Sequence, residues 1–370
     1  MGAPNLCPVR AVAPDDPALP GEARDSEPGD IVRDQDTDPD DEELHLASRT
    51  PLLPEAAGDG VPRRRRSDER AGTLILIGGA ASPAGPALGR FLDLTDAREG
   101  GRIVGFTTAS RDPVSSAHAW RHDLSVAGAR NIEIPIVDRR ARAQNREIAA
   151  MVRDARGVFL GGGDQVHLIA TLSGTRVGDA IREAHAAGTV VCGTSAGAAA
   201  LTETTLANGE VNEQGELVEM CIGPGLGLLG FRTMIDTHFA ERRRLHRLFV
   251  AIAGYPEVMG LGIDEDTALV VNGHLGEVVG RGGVTFVDGR GVRYDNADQV
   301  KRFGAKLTLS YLRVGIVGEG HVFNLREREI EALVEARERK EACPVVRGDG
   351  AERGDQRSAI SDQTGNGGRG

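Results

Sequence analysis

Short apolar runs alternate with longer amphipathic stretches through the middle of the chain. TLILI at 73–77 stops abruptly at Gly78-Gly79, and the runs at 103–107, 131–136, 157–160 and 189–192 repeat that form. A brief apolar run bounded by turn residues reads as a strand buried on both faces. Between the runs lie Ala-, Arg- and Glu-rich segments with helical spacing, such as 145–156 and 176–187. Such alternation predicts an α/β fold, a mostly parallel sheet with helices on both faces. From about Met259 the helical pattern thins, and ALVV, GEVVG, GGVTFVD and YLRVGIVG read as antiparallel strands appended to one edge of that sheet.

Both ends of the chain lack this pattern. Residues 1–70 are rich in Pro, Asp, Glu and Gly and hold 17 acidic against 9 basic residues. They offer too little apolar surface to offset the entropy of ordering, so a disordered acidic tail is expected there. A polar tail is likewise expected over 343–370, which leaves 71–342 as one folded domain. Most of the net charge of −11 sits in the N-terminal tail, because the other 300 residues hold 38 acidic against 35 basic. A nearly neutral block makes no electrostatic case for nucleic acid. The four arginines at 63–66 read as a solvated hinge. Lys occurs only at 301, 306 and 340, so the abundance of Arg reflects a general coding bias rather than phosphate recognition.

No apolar stretch approaches the ~18 residues of a membrane-spanning helix. The first residues lack a basic segment followed by an apolar one, so no standard secretory leader is read there and a cytoplasmic protein is expected. Cys7, Cys192, Cys221 and Cys343 are too far apart for a zinc motif or a disulfide framework, and read as reduced thiols.

The sharpest local signal is Gly193-Thr194-Ser195-Ala196-Gly197, which follows an apolar run and leads into AAAL. Gly-x-Ser-x-Gly between a strand and a helix lets the chain bend sharply and presents the serine at the top of the sheet. In that setting the amide of Ala196 can stabilise an oxyanion. A serine nucleophile needs a base, and the base needs an orienting group. Among nine histidines, His238 stands out: it lies in IDTHF, after an apolar run and before the Arg-rich segment 241–252, which reads as a helix. Asp264, Glu265 and Asp266 also follow directly on an apolar segment. They lack the further ligands of a Ca²⁺ or Mg²⁺ loop, so no metal is expected. GGGDQ at 161–165 ends another strand, where ligands of open α/β sheets bind. GLGLLG at 225–230 fits GxGxxG but does not join a strand to a helix, so dinucleotide binding is set aside.

Taken in order, GGDQ at 162–165, GTSAGA at 193–198, the D-x-HF-x-x-R-x-R-x-x-RL pattern at 236–248 and GIDEDTAL at 262–269 resemble the cyanophycinase family. These are serine exopeptidases of the dipeptidase E-like clan. The resemblance spans about 73–325 and implies a flavodoxin-like, amidotransferase-like sheet. It also implies Ser195 as nucleophile, His238 as base and Glu265 as the group that orients the base. The order Ser, His, Glu differs from the Ser, acid, His order of α/β-hydrolases. The oxyanion would sit on the amides of Ala196, Gly162 and Gly163. Substrate-binding roles fall on Gln165, Asp236, Arg242, Arg244 and Arg247, with Thr237 beside them. The implied substrate is cyanophycin, a polyaspartate carrying arginine on each side chain and cleaved to β-Asp-Arg dipeptides. No cofactor is implied; a homodimer is.

The carboxylates and guanidinium groups of that polymer suit Arg side chains and Asp236 respectively. If 241–252 is helical, His238 and Arg242 share one face and Arg244 and Arg247 another. The bland alternative makes the arginines a solvated helix surface. Thr237 stands where the family commonly has Gln, and Ala80-Ala81 replaces a charged pair. An isoaspartyl dipeptidase on the same fold, or a non-catalytic amidotransferase-like binding protein, therefore stays open as an alternative.

Overall fold

The computed structural model describes residues 72–211, 217–303 and 306–331. The five apolar runs become β1 (Leu74–Ile77), β2 (Arg102–Phe106), β3 (Asn131–Glu133), β4 (Gly157–Leu160) and β5 (Val190–Thr194). They are mutually parallel and lie in the order β1-β5-β4-β2-β3. The helices α1 (Pro86–Leu94), α2 (Pro113–Val126), α3 (Arg146–Arg153), α4 (Gln165–Leu172) and α5 (Arg176–Ala186) connect or follow these strands. Their starts are written locally. Asn145, Asp164 and Thr175 accept backbone amides at the first turns of α3, α4 and α5, while α1 and α2 open with Pro.

Successive strand residues point to opposite faces, which divides the core in two. Ile75, Ile77, Phe159 and Cys192 pack with Phe91, Leu92 and Leu124 on one side. Leu74, Leu76, Val104 and Val191 pack with Leu168, Leu172 and Ile181 on the other. The α/β reading of the sequence holds.

The later strands distribute differently from the expectation. After α6 (Ala196–Ala199) come the paired β6 (Thr204–Val211) and β7 (Leu217–Pro224), then β8 (Thr233–Thr237), α7 (Leu245–Gly254) and β9 (Met259–Ile263). Next are β10 (Thr267–Asn272), β11 (Leu275–Gly280), β12 (Val284–Asp288), β13 (Tyr294–Asp295), α8 (Ala297–Phe303), β14 (Leu309–Ser310), β15 (Arg313–Val317), β16 (Val322–Asn324) and β17 (Glu329–Glu331). The segments ALVV and GEVVG do extend the first sheet antiparallel beyond β1, and with β16 and β17 they bring it to nine strands. VTFVD and RVGIV instead join β8 and β9 in a separate four-stranded sheet, ordered β15-β12-β9-β8.

The reason is a sharp transfer. The chain passes from β9 in one sheet to β10 in the other through Asp264, Glu265 and Asp266 alone, with Asp266 at φ 48°. The ends of β8 and β9 are thereby held against the loop after β1. His238 N donates to Gly78 O at 2.6 Å, and Asp266 N to Gly79 O at 2.9 Å. The expected tails, and residues 332–342 of the expected domain, lie outside the described residues. No helix among the described residues is long and apolar enough to cross a membrane.

Candidate active site

Ser195 sits between β5 and α6 with φ 52° and ψ −120°, a conformation that costs a non-glycine residue ~1–3 kcal/mol. Its neighbours make the bend possible. A Cβ on Gly193 would fall 2.5 Å from the Gly197 backbone, and one on Gly197 would fall 2.2 Å from Leu160 O. The Ser195 amide is held by Ile77 O at 2.9 Å.

Its hydroxyl lies 2.8 Å from His238 Nε2, and His238 Nδ1 lies 2.6 Å from Glu265 Oε1. Three residues from three separate strand ends thus form one hydrogen-bonded line. The carboxylate selects the tautomer, because an acceptor at Nδ1 places the proton there and leaves Nε2 free to accept from the Ser195 hydroxyl. Burial holds the His238 pKa below its ordinary value. The hydrogen bond that His238 donates to Glu265, and the charge of Glu265, oppose that shift, while the positive charges of Arg242 and Arg244 add to it. The imidazole is therefore neutral near pH 7.

A cavity of about 160 Å³ opens beside Ser195. Gly163, Gln165, Asp236, Thr237, Arg242, Arg244 and Arg247 all line it, so the residues singled out in the sequence converge on one place. Their pairing was not legible beforehand. Asp236 is 2% exposed and accepts from Arg247 Nε at 2.6 Å, from Arg247 Nη2, and from Arg244 Nη1 at 3.3 Å. Arg244 Nη1 also donates to Thr237 O at 2.6 Å. Burial lowers the Arg244 pKa to about 10 even though Asp236 opposes the shift. Gln165 Nε2 donates to Leu206 O at 2.8 Å and Ala207 O at 3.0 Å, which ties α4 to β6.

The expected helix over 241–252 starts later, at Leu245. His238 and Arg243 have φ of 50° and 51°, and a right-handed helix cannot run through left-handed residues. Residues 239–244 instead form a tight turn in which Arg242 N still reaches His238 O at 3.0 Å. Two of the three arginines consequently turn inward onto Asp236. Arg242 stays exposed, and its guanidinium makes no hydrogen bond or ion pair among the described residues.

The amides of Gly162, Gly163 and Ala196 have no backbone acceptor among the described residues. Gly162 sits next to the serine, where a Cβ would come 3.2 Å from Ser195 Cβ.

Sequence reasoning took Glu265 from its triplet and passed over its neighbours. Asp264 accepts from Ala240 N at 3.1 Å and from Gly283 N at 2.9 Å, which secures the turn after His238. Asp266 accepts from Ser82 N at 3.0 Å and so secures the loop after β1. Gly79, at φ 109°, was visible only as part of a strand-ending Gly pair; it lies directly against the His238 ring.

The model of peptidase family S51 matches residues 74–279. A cyanophycinase from Synechococcus elongatus is 35% identical over 267 residues, 70% of this chain and 81% of that one. A cyanophycinase from Trichormus variabilis is 35% identical over 228 residues, 60% and 75% of the two chains. The crystal structure of a peptidase from an acI-B1 Actinobacterium aligns with 60% of this chain and 93% of its own, at 23% identity and a TM-score of 0.46. The sequence matches define a serine-type peptidase. Within that class the chain belongs to the cyanophycinase family.

Proposed function

We propose that this chain is an exopeptidase that hydrolyses cyanophycin to β-Asp-Arg dipeptides with a Ser195–His238–Glu265 triad. The observation that carries the reading is the continuous line from Ser195 Oγ through the imidazole to Glu265 Oε1, at 2.8 and 2.6 Å. Ser195 Oγ attacks a backbone carbonyl of the polymer as His238 Nε2 takes its proton. The developing oxyanion is met by the amides of Ala196, Gly162 and Gly163. The imidazolium then returns the proton to the leaving amine, and water reverses the sequence on the acyl-enzyme. Glu265 holds the ring and stabilises its charged form throughout.

The cavity supports an anionic end group more directly than a cationic one. Three arginines, Arg242, Arg244 and Arg247, line the cavity with one carboxylate, Asp236, so the lining is net positive. Each cyanophycin unit carries a free arginine α-carboxylate, which in this reading is received by Arg242 and Arg244. Asp236 and Arg247 brace them, and Gln165 and Thr237 complete the wall. The names of the curated relatives point to the same polymer.

Incubating purified protein with cyanophycin granules and identifying the product by mass tests the reading. Dipeptide release by the wild type, lost in Ser195→Ala, is the expected result. Turnover of short isoaspartyl peptides without attack on the polymer would select the isoaspartyl dipeptidase alternative. Light scattering on the same sample reads the homodimer that the resemblance implies.

A further inference from the structure

A second cavity opens on the far side of the loop that follows β4. It measures about 480 Å³ and is lined by Ser110 and Arg111 after β2, Asp138 after β3, and Asp164 and His167 at the start of α4. The topology puts it there. The chain steps outward from β2 to β3 and then returns to β4 on the other side of β2. Connections leaving β2 and β4 diverge at that switch, and ligands of open α/β sheets bind in such crevices.

The wall between this crevice and the serine is one loop thick. Asp164 N donates to Ala109 O at 2.7 Å. Gly163 lines the Ser195 cavity, yet a Cβ on it would fall 2.0 Å from that same Ala109 oxygen.

The charges of the crevice are unevenly satisfied. Arg111 is exposed and makes no hydrogen bond or ion pair among the described residues. Asp164 uses Oδ1 to cap α4, at 2.8 Å from Val166 N and 3.2 Å from His167 N, and no described group donates to its Oδ2. Asp138 is already faced by Arg142 Nε at 3.4 Å, and His167 Nε2 lies 3.2 Å from Asp138 O. What remains is one unpaired guanidinium at Arg111 and an Asp164 oxygen without a donor, beside Asp138 Oδ1, which has the Arg142 charge near it but no hydrogen bond among the described residues. An arginine attached through its α-amino group presents the complementary pair, a guanidinium and an α-carboxylate.

We propose that this crevice is a subsite for an arginyl unit of the polymer on the far side of the scissile bond. Asp164 receives its guanidinium and Arg111 its carboxylate, while the terminal unit occupies the cavity beside Ser195. The inference rests on the reading of the chain as a peptidase acting on arginyl-polyaspartate.

The test compares two synthetic aspartyl peptides, one with arginine on every residue and one with arginine on the terminal residue only. Wild type, Arg111→Ala and Asp164→Asn are assayed on both; the Asn keeps the helix cap and removes the charge. Each variant is expected to lose about two- to fivefold in kcat/KM on the fully arginylated peptide, the range of half-exposed ion pairs. Neither is expected to change on the singly arginylated one. An equal loss on both peptides, or no loss on either, overturns the subsite while leaving the triad reading intact. A wild type inactive on both peptides overturns the underlying reading and the subsite with it.

Discussion

The imidazole of His238 lies against Gly79, so close that a Cβ there would fall 2.2 Å from the ring Cε1 and 2.4 Å from Nε2. Nε2 is the atom that meets Ser195 Oγ. Gly79 also has φ 109°, which side-chain-bearing residues rarely adopt. Gly79→Ala should therefore push the ring off the serine. The expected outcome is a fall in kcat of at least about a hundredfold, the scale on which displacements of about 1 Å act. Turnover measured beside a thermal melt checks it: a variant with wild-type kcat and a lowered Tm would show that the contact supports only the fold.

Ser195→Ala should reduce kcat by roughly three to six orders of magnitude, as removal of a triad member does. The fold should persist, because the Ser195 side chain bonds only His238 among the described residues. A serine-directed covalent reagent should label the wild type at Ser195 and leave the variant unmodified, which peptide mass mapping reads.

The pH profile should report the lowered pKa of His238. The base acts only when neutral, so kcat/KM is expected to be constant above its pKa and to fall as pH drops through it. Burial, the largest influence, places that limb below 6.5, the ordinary histidine value. Arg242→Ala removes a positive charge that lowers the pKa, so its limb should move to higher pH. Glu265→Gln removes a partner that raises the pKa, so its limb should move to lower pH while kcat also falls. A limb that stays in place in both variants would exclude His238 as the titrating base.

Asp236 and Arg242 should separate stability from binding. The Asp236 carboxylate is buried under Arg244 and Arg247. Removing one partner of a buried ion pair costs about 3–5 kcal/mol. Asp236→Ala is therefore expected to lower Tm clearly and to disturb catalysis by removing the carboxylate that holds Arg244 and Arg247. The Arg242 guanidinium has no hydrogen bond or ion pair to lose among the described residues, so Arg242→Ala should leave Tm unchanged. Its KM should rise about tenfold or more, the worth of a charge-assisted hydrogen bond. Melting curves and Michaelis constants for the two variants decide the matter.

Asp266 should act on the site through the loop after β1. It holds Ser82 N with its carboxylate and Gly79 O with its amide, and that loop is the surface on which His238 rests. Asp266→Ala is expected to lower kcat, and Asp266→Asn to restore most of it. Asn keeps an acceptor oxygen and tolerates the left-handed conformation that residue 266 adopts. Equal kcat in the two variants would remove Asp266 from the positioning of the base.

The strand–helix alternation and the sharp turn at Ser195 were legible in the sequence, and the resemblance carried by four ordered motifs singled out His238 and Glu265 as proposed partners of that serine. These are local properties: apolar runs of strand length, a serine framed by glycines, and short spacings that survive without knowledge of what packs against them. That β12 and β15 join β8 and β9 and not the first sheet emerges only in three dimensions, since it depends on which distant strand offers a free edge. Only the tertiary structure placed α7 at Leu245 rather than at 241, because left-handed residues at His238 and Arg243 answer to the contacts of the ring and not to helix propensity. It also paired Asp236 with Arg244 and Arg247, where the family resemblance assigned all three to a ligand. A buried carboxylate is stable only beside cations, and which cations reach it is set by the turn between them, a geometry that spacing in the chain does not encode.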